Sequence, residues 1–488
     1  MSGSLAFPCP SCGSTLSYDA VSGYLRCSAC GGAFAPGSGG PGPAPGQGPH
    51  TAQDPMPAAE SRDGGGNLAA ASCPSCGAQL TVLSTTLAST QCAYCRSPVV
   101  LLGQLSQDFA PDTVVPFTVS REQAQAALEA WLARKRYLAP GFYSKLRQDP
   151  PVGVYFPYMV IDAQVDSTAE GGATFRPEDS EDAAEEFRVL AKGNVQLQGL
   201  PQSALRATRA DKVMNLLQPW DLRREVPFAP GYLAGFQTER RDLDFADIAS
   251  EAALAVSLAA RRVLAGKVFE AYPRCRQLRL WGVSQILNSQ YHHTLLPAWV
   301  VYYLTPSGGL YYFGVNGQTH ETVGSVPVDM PKLKRHATGV ALLTALVIML
   351  LAAGVILPFA GIVGGSGVPA TTPALIASLL ALVVAGLAGW LAWRIMCHSV
   401  LKKYGLMRRE DPPDQAIGWT VAMTDIRAQK PKDDKAVAAR YAALGSPSWA
   451  HYTRPQGSAP HQLPTEVFWA PDGKTPTSAN KRGIVTLE

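Results

Sequence analysis

CPSCGSTLSYDAVSGYLRCSACGG, from Cys9 to Gly32, holds two CxxC pairs separated by fourteen residues: Cys9 and Cys12, then Cys27 and Cys30. The opening five letters return at Cys73. There Cys73 and Cys76 are followed, fifteen residues on, by Cys92 and Cys95. Two CxxC pairs at this separation are the signature of a four-cysteine zinc site. Each CxxC turn sets two sulfurs on one side of a tight knuckle, and the glycine after it (Gly13, Gly31, Gly77) lets the backbone fold back toward the metal. Arg96 stands where the fourth knuckle would have its glycine. Between the first two knuckles, TLSYDAVSGYLRC reads as strand, turn, strand with Ser-Gly at the turn. The sequence therefore predicts two small zinc ribbons, 1–35 and 71–105. Their two zinc ions are held by Cys9, Cys12, Cys27 and Cys30, and by Cys73, Cys76, Cys92 and Cys95. A four-thiolate site leaves no open position for water, so both are structural rather than catalytic. Ribbons of this size cannot bury a core unaided and depend on the metal.

Disulfides and redox chemistry are the competing uses of these cysteines. The N-terminus MSGSLAFPCPSC has no basic segment followed by an apolar run, so no signal peptide is expected, and a redox CxxC usually occurs singly. Nucleic-acid binding is disfavoured by charge. Residues 1–110 carry three Lys/Arg (Arg26, Arg62, Arg96) against five Asp/Glu (Asp19, Asp54, Glu60, Asp63, Asp108), whereas phosphate binding needs a basic face. Tyr18, Tyr24 and Phe34 then read as the small core of the first ribbon.

At 488 residues several units are expected. Residues 36–70 contain nine Gly and seven Pro. They predict a flexible linker spanning about 30 Å, which would make the two ribbons independent beads. Residues 111–330 have the composition of a globular α/β (α+β) domain. SREQAQAALEAWLARKRY reads as an amphipathic helix with a Ser120–Gln123 capping box and Ala124, Leu128, Trp131 and Leu132 on one face. Residues 245–265 read as a second helix. GVYFPYMVIDAQV, LLPAWVVYYL and GLYYFGVNGQT read as strands. VVPFTVS at 114 is echoed by EVPFAPG at 225, and FPYMVIDA at 156 by LPAWVVYY at 296, so the domain reads as internally duplicated. The acidic run PEDSEDAAEE (177–186) lacks a calcium-loop pattern and reads as a solvated loop.

GVALLTALVIMLLAAGVILPFA (339–360) carries no charge. As a helix it would be about 33 Å long, enough for a hydrocarbon core. ALIASLLALVVAGLAGWLAW (374–393) is the second such run, and together they predict a transmembrane hairpin over 337–397. Lys332, Lys334 and Arg335 precede it; Arg394, Lys402, Lys403, Arg408 and Arg409 follow. The positive-inside rule therefore places both flanks in the cytoplasm, in a multi-pass protein of a bacterial inner membrane with both termini cytoplasmic. Ala377, Ala381, Ala385 and Gly389 recur at every fourth residue, a stripe that admits close approach of another helix, foremost the first helix of the hairpin. The tail, 398–488, reads as largely disordered apart from a short helix near 433–444.

Catalytic motifs are missing. GKT at 473–475 has Phe468 where a phosphate loop needs glycine, and neither HExxH nor GxSxG occurs. His292 and His293 would point to opposite faces of a strand, and Cys275 and Cys397 read as packing groups. No enzymatic activity is expected.

The order of the CxxC pairs, VPFTVSREQAQAALEAWL, PYMVIDA, LPAWVVYYL and GVNGQTHETVGSVP, then a membrane hairpin, resembles a family of poorly characterised bacterial zinc-ribbon membrane proteins. Its members are often described as TFIIB-type zinc-ribbon-containing. The resemblance covers residues 70–400. Its most specific element is NGQT…G…P, Asn316 to Pro327, in which His320-Glu321 replaces the family's usual Gly-Lys. It implies a role at the stressed membrane beside phage-shock or flotillin-like SPFH proteins. The expected function is a membrane-anchored adaptor or scaffold that recruits protein partners by protein–protein interaction, with no nucleic acid and no small-molecule substrate. The alternatives are a membrane-tethered nucleic-acid-binding or transcription regulator, and an enzyme with a motif-less site in the α/β domain.

Overall fold

The computed structural model describes residues 4–5, 7–38, 50–51, 69–72, 79–82, 87–91, 98–101, 110–139, 142, 150–175, 185–205, 217, 219–241, 243–304, 310–324, 327–364, 371–404, 418–429, 449–453 and 466–470. The N-terminal hairpin has strands β1 (Leu16–Asp19) and β2 (Tyr24–Cys27). Two further short strands are β3 (Leu87–Gln91) and β4 (Pro98–Leu101). The main domain contains β5 (Thr113–Val114), α1 (Arg121–Ala133), β6 (Val152–Phe175), β7 (Glu185–Ser203), β8 (Val226–Pro227) and β9 (Gln237–Glu239). It continues with α2 (Phe245–Ala271), β10 (Cys275–Leu304), β11 (Leu310–Asn316) and β12 (Thr322–Gly324). Two long helices follow, α3 (Met330–Gly364) and α4 (Thr371–Tyr404), and then β13 (Gly418–Gln429).

The centre of the mixed sheet is the antiparallel pair β6–β10, which runs from Val152 opposite Val300 to Phe175 opposite Cys275. β7 lies on the outer side of β6 and β11 on the outer side of β10. Along β6 nearly every residue from Gly153 to Ile161 is buried, whereas from Asp162 onward buried positions alternate with more exposed ones. The first part is covered on both faces and the second on one, which is what the period of two predicts for a half-solvated sheet. The covering element there is α2. Its Ile248, Ala252, Val256, Ala259 and Val263 recur at helical spacing and pack with Met159, Ile161, Val165 and Leu280. The capping box expected at Ser120 is present: Ser120 Oγ accepts from the Gln123 amide at 3.2 Å, and Gln123 Oε1 accepts from the Ser120 amide at 2.9 Å. The helix it starts buries Ala124, Leu128 and Leu132, with Trp131 edge-on to Phe313.

The two pairs of echoed segments are neighbours. Val114 lies opposite Val226 and Phe156 opposite Leu296, both in antiparallel register.

α3 and α4 are long and apolar enough to cross a membrane, over Met330–Gly354 and Ala377–Leu401. Leu342, Leu350 and Leu379 are about two-thirds exposed. The small-residue stripe faces the partner helix of the hairpin. Ala385 and Gly389 are buried, and a Cβ on Gly389 would meet the Ala341 carbonyl oxygen at 2.9 Å. The base of the hairpin is rooted in the domain. Leu333, Ala337 and Cys397 belong to the same buried cluster as Leu128, Leu132, Tyr137 and Phe313.

Two expectations need correction. The first cysteine hairpin is not an independent bead. Phe7, Leu16, Tyr18 and Leu25 share a core with Phe117, Phe228, Leu233 and Phe236, because this small unit has more apolar side chains than it can cover itself. The tail, expected to be largely disordered, contributes three strands among the described residues. β13 pairs with β7, Leu197 lying opposite Trp419. Trp449–Thr453 pairs with β10, and Glu466–Ala470 pairs with Trp449–Thr453. The acidic run's residues 177–184, the expected tail helix and most of the 36–70 linker lie outside the described residues.

Candidate metal centre

The first four cysteines are brought together by their own knuckles. Gly13 and Gly31 both take φ +73°, a left-handed conformation that side chains disfavour. That lets the Gly13 amide donate to Cys9 O at 2.8 Å and the Gly31 amide to Cys27 O at 3.0 Å. The β1–β2 hairpin sets the two turns side by side, Leu16 opposite Cys27. At its far end the Gly23 amide donates to Asp19 O at 2.9 Å, and Asp19 also takes a hydroxyl bond from Ser22 and an ion pair from Arg26.

All four sulfurs lie within 4.8 Å of one another. Cys9 Sγ is 3.5 Å from Cys30 Sγ, and Cys12 Sγ is 3.5 Å from Cys27 Sγ. Cys9 and Cys27 are buried, Cys12 and Cys30 exposed. The amide of Cys30, then that of Ala29, favour the Cys27 thiolate and bring its pKa down to about 6, against the effect of burial. Burial pushes the Cys9 thiol up, but the Ser11 and Cys12 amides outweigh it and its pKa is lowered. The Ser14 amide favours the Cys12 thiolate. The sulfurs of Cys27, Cys30 and Cys9 prevail, with burial, and push Cys12 up to about 12. Cys30 is raised as well: the Gly32 amide lowers it, but contacts with Cys9 and Cys27 override that. The knuckle amides thus prepare thiolates that cannot all ionise together unless a cation is placed among them. A soft, tetrahedral dication resolves that conflict, so the donor set fits a metal of the zinc type.

The second four, Cys73, Cys76, Cys92 and Cys95, lie outside the described residues. The strands that flank them pair. Ala69–Ser72 is antiparallel to Gln79–Val82, and β3 to β4. β3 also joins the main sheet through β9, where Ser89 Oγ bonds Thr238 Oγ1 and Phe236 O, both at 2.8 Å.

The joint between the first hairpin and the domain escaped sequence reasoning. Tyr18 donates its amide to Ala234 O at 2.8 Å and packs its ring on Tyr232 and Phe236. Phe236 stacks on Phe117 at 4.2 Å, and Phe117 tilts against Trp299 at 5.1 Å. In the sequence these aromatics are scattered from Tyr18 to Trp299, and no local period connects them.

His292 and His293 do point apart. His292 Nε2 meets Glu225 Oε2 at 3.0 Å, and Glu225 Oε1 accepts from Thr294 Oγ1 at 2.7 Å. His293 is buried, its amide bonded to Asp112 Oδ2 at 2.7 Å. Asn316, the first residue of NGQT, is fully buried. Its Nδ2 donates to Leu217 O at 2.8 Å, and its Oδ1 accepts from the amides of Gln318 and Thr319. NGQT is therefore a structural clasp. His320 sits at φ 62°, where glycine would be at ease.

Over 249 residues, the chain is 26% identical to a Bacillus subtilis (strain 168) protein described as uncharacterised protein YdjG; the match spans 50% of this chain and 71% of that one. No family model matches the sequence, and no solved structure matches it.

Proposed function

We propose that the chain is a membrane-anchored scaffold whose α/β domain presents protein-binding surfaces at the cytoplasmic face of a bacterial inner membrane. The observation that carries this reading is the single buried cluster that contains Cys9 and Cys27 at one end and Leu333, Ala337 and Cys397 of the apolar helix pair at the other. A closed four-thiolate site gives rigidity rather than chemistry, and here that rigidity is continuous with the anchor. Zinc in the Cys9, Cys12, Cys27 and Cys30 site acts as a structural ion. A second zinc is held by Cys73, Cys76, Cys92 and Cys95, completing two ribbons. Pairing of the echoed segments supports an origin of the α/β domain by duplication. The rooting of α3 and α4 in one core supports a hairpin with both flanks on one side of the membrane, and the basic flanks assign that side to the cytoplasm. The partner is a membrane-stress scaffold of the SPFH or phage-shock type.

Two measurements test this reading. Purified protein should carry two zinc ions per chain, and Cys→Ser at any of the eight cysteines should remove one. In gently solubilised membranes the wild type should co-purify with an SPFH or phage-shock type protein, and the Cys73→Ser/Cys92→Ser variant should lose it. Salt-sensitive recovery of nucleic acid in its place would contradict the scaffold reading.

A further inference from the structure

The α/β domain carries a basic segment that is clasped to the foot of the hairpin. Arg134, Lys135 and Arg136 follow α1 directly. The next residue, Tyr137, accepts the Asp329 amide at 2.8 Å through its carbonyl and sets its ring against that of His336, with ring centroids 5.6 Å apart. Leu138 forms a bridge to Val328, and the Ala139 amide donates to Pro327 O at 3.0 Å. These contacts fix the segment beside the first turns of α3, which carry Lys332, Lys334 and Arg335. His336 lies three residues before Gly339, where the uncharged run begins, about 4.5 Å along a helix axis. The clasped segment therefore stands at the depth of lipid headgroups. On the returning helix, Arg394 lies over the Trp390 ring at 5.3 Å, the aromatic and cationic pairing expected at a membrane interface.

Arg134, Arg136, Lys334, Arg335 and Arg394 are all exposed. Among the described residues none of these five is in an ion pair. Lys135 caps the Trp131 ring at 4.3 Å. The acidic group within the clasp, Asp329, is engaged in capping α3 through the Lys332 amide. What remains is a collar of exposed cations from three separate parts of the chain, the segment after α1, the foot of α3 and the returning helix α4.

We infer that this collar, with Arg134 and Arg136 as the domain's own contribution, is a docking surface for the anionic phospholipid headgroups of the cytoplasmic leaflet, and that it holds the α/β domain in a fixed orientation on the bilayer. Charge complementarity identifies the occupant. A negative leaflet attracts each juxtamembrane Lys or Arg with a gain of about fivefold in occupancy. The clasp makes the domain's two free-standing arginines, Arg134 and Arg136, act together with the cations of the helix. This inference rests on the reading of α3 and α4 as membrane-spanning.

The test uses the full chain in nanodiscs made of equal parts neutral phosphatidylcholine and anionic phosphatidylglycerol, with retained lipids counted by mass spectrometry after delipidation. The wild type should retain phosphatidylglycerol preferentially. R134Q/R136Q should lower that preference by on the order of tenfold to thirtyfold, with amide exchange of β6 and β10 unchanged. R134K/R136K, which keeps the charge, should behave as wild type. Equal retention of the two lipids by the wild type, an unaltered preference in the double glutamine variant, or loss of preference in the lysine variant would each overturn the inference. Resistance of the chain to alkaline carbonate extraction is checked separately. Release by carbonate would overturn the membrane reading itself, while resistance without lipid preference would overturn only the collar.

Discussion

His292 and His293 occupy consecutive positions and respond to protons in opposite ways. Burial disfavours the charged form of His292. The Glu225 hydrogen bond and the charges of Glu225, Asp112 and Asp162 outweigh it, so its pKa is raised. His293 is lowered to about 3, first by burial and then by the Arg241 charge. In the unfolded chain both return to about 6.5. The His292 contribution to stability is therefore complete below that value and is lost as pH rises through the folded-state pKa. For His293 the unfolded state binds the extra proton between about pH 6.5 and 3. Stability falls as pH drops through that window, with a slope approaching 1.4 kcal/mol per pH unit at most, roughly. Denaturant titrations from pH 7 to 4 should show that His293→Gln loses stability less steeply than wild type. Parallel curves would contradict the assignment of His293 as a buried neutral group. At this scale the grouping of Cys9, Cys12, Cys27 and Cys30 was legible, because their spacing is local. The Glu225–His292–Thr294 cluster was not, since it forms only when β8 and β10 are brought together. Asn316 stood out only as part of a motif, and its role as a clasp comes from carbonyls about a hundred residues away.

Two close approaches can be tested with single substitutions in individual elements. Gly231 lies in the 3₁₀ turn Pro230–Leu233, and an added Cβ there would meet the Pro36 carbonyl oxygen at 2.1 Å. Neither backbone can yield cheaply. Gly231→Ala should cost about 1–3 kcal/mol and raise amide exchange in 7–38 while leaving β6 and β10 protected. Exchange in 7–38 identical to wild type would argue against the docked hairpin. Gly389 faces Ala341 in the same manner. Gly389→Leu should separate α3 from α4, lowering disulfide cross-linking between cysteines introduced at Ala345 and Ala385 relative to the same pair in a Gly389 background. The helices were largely legible: the Ser120 cap, the 245–265 segment and both apolar runs follow local rules, though α2 extends to Ala271. Strand lengths were not. The second half of β6 reads DSTAEGGATF, rich in residues of low β propensity, and is a strand because β7 and β10 pair it on both sides. GWTVAMTDIRAQ is a strand because β7 pairs it. Strand pairing is non-local, and no window of the sequence contains it.

In the molecule as a whole, the described residues bury their apolar side chains in three clusters. One lies under α2, and another, smaller, is centred on Tyr158, Trp220 and Leu296. The largest in span reaches from Phe7 and Cys9 through Phe236, Phe117 and Trp299 to Leu333 and Cys397. The sequence suggested ribbons on tethers. The first cysteine hairpin is instead part of the domain wall, since Tyr18 and Leu16 need the domain to cover them. A metal at Cys9, Cys12, Cys27 and Cys30 therefore stabilises more than its own hairpin. Removing it should loosen the surfaces that share its core and spare those that do not. The direct measurement is amide hydrogen exchange of the full chain in detergent, followed by mass spectrometry, with zinc supplied and after treatment with a chelator. Protection should fall in 7–34, in 228–239 and around Phe117, and should persist in the α2-covered parts of β6 and β7. Loss confined to 7–34 would show that the cysteine hairpin is an independent bead and that its metal does not support the domain.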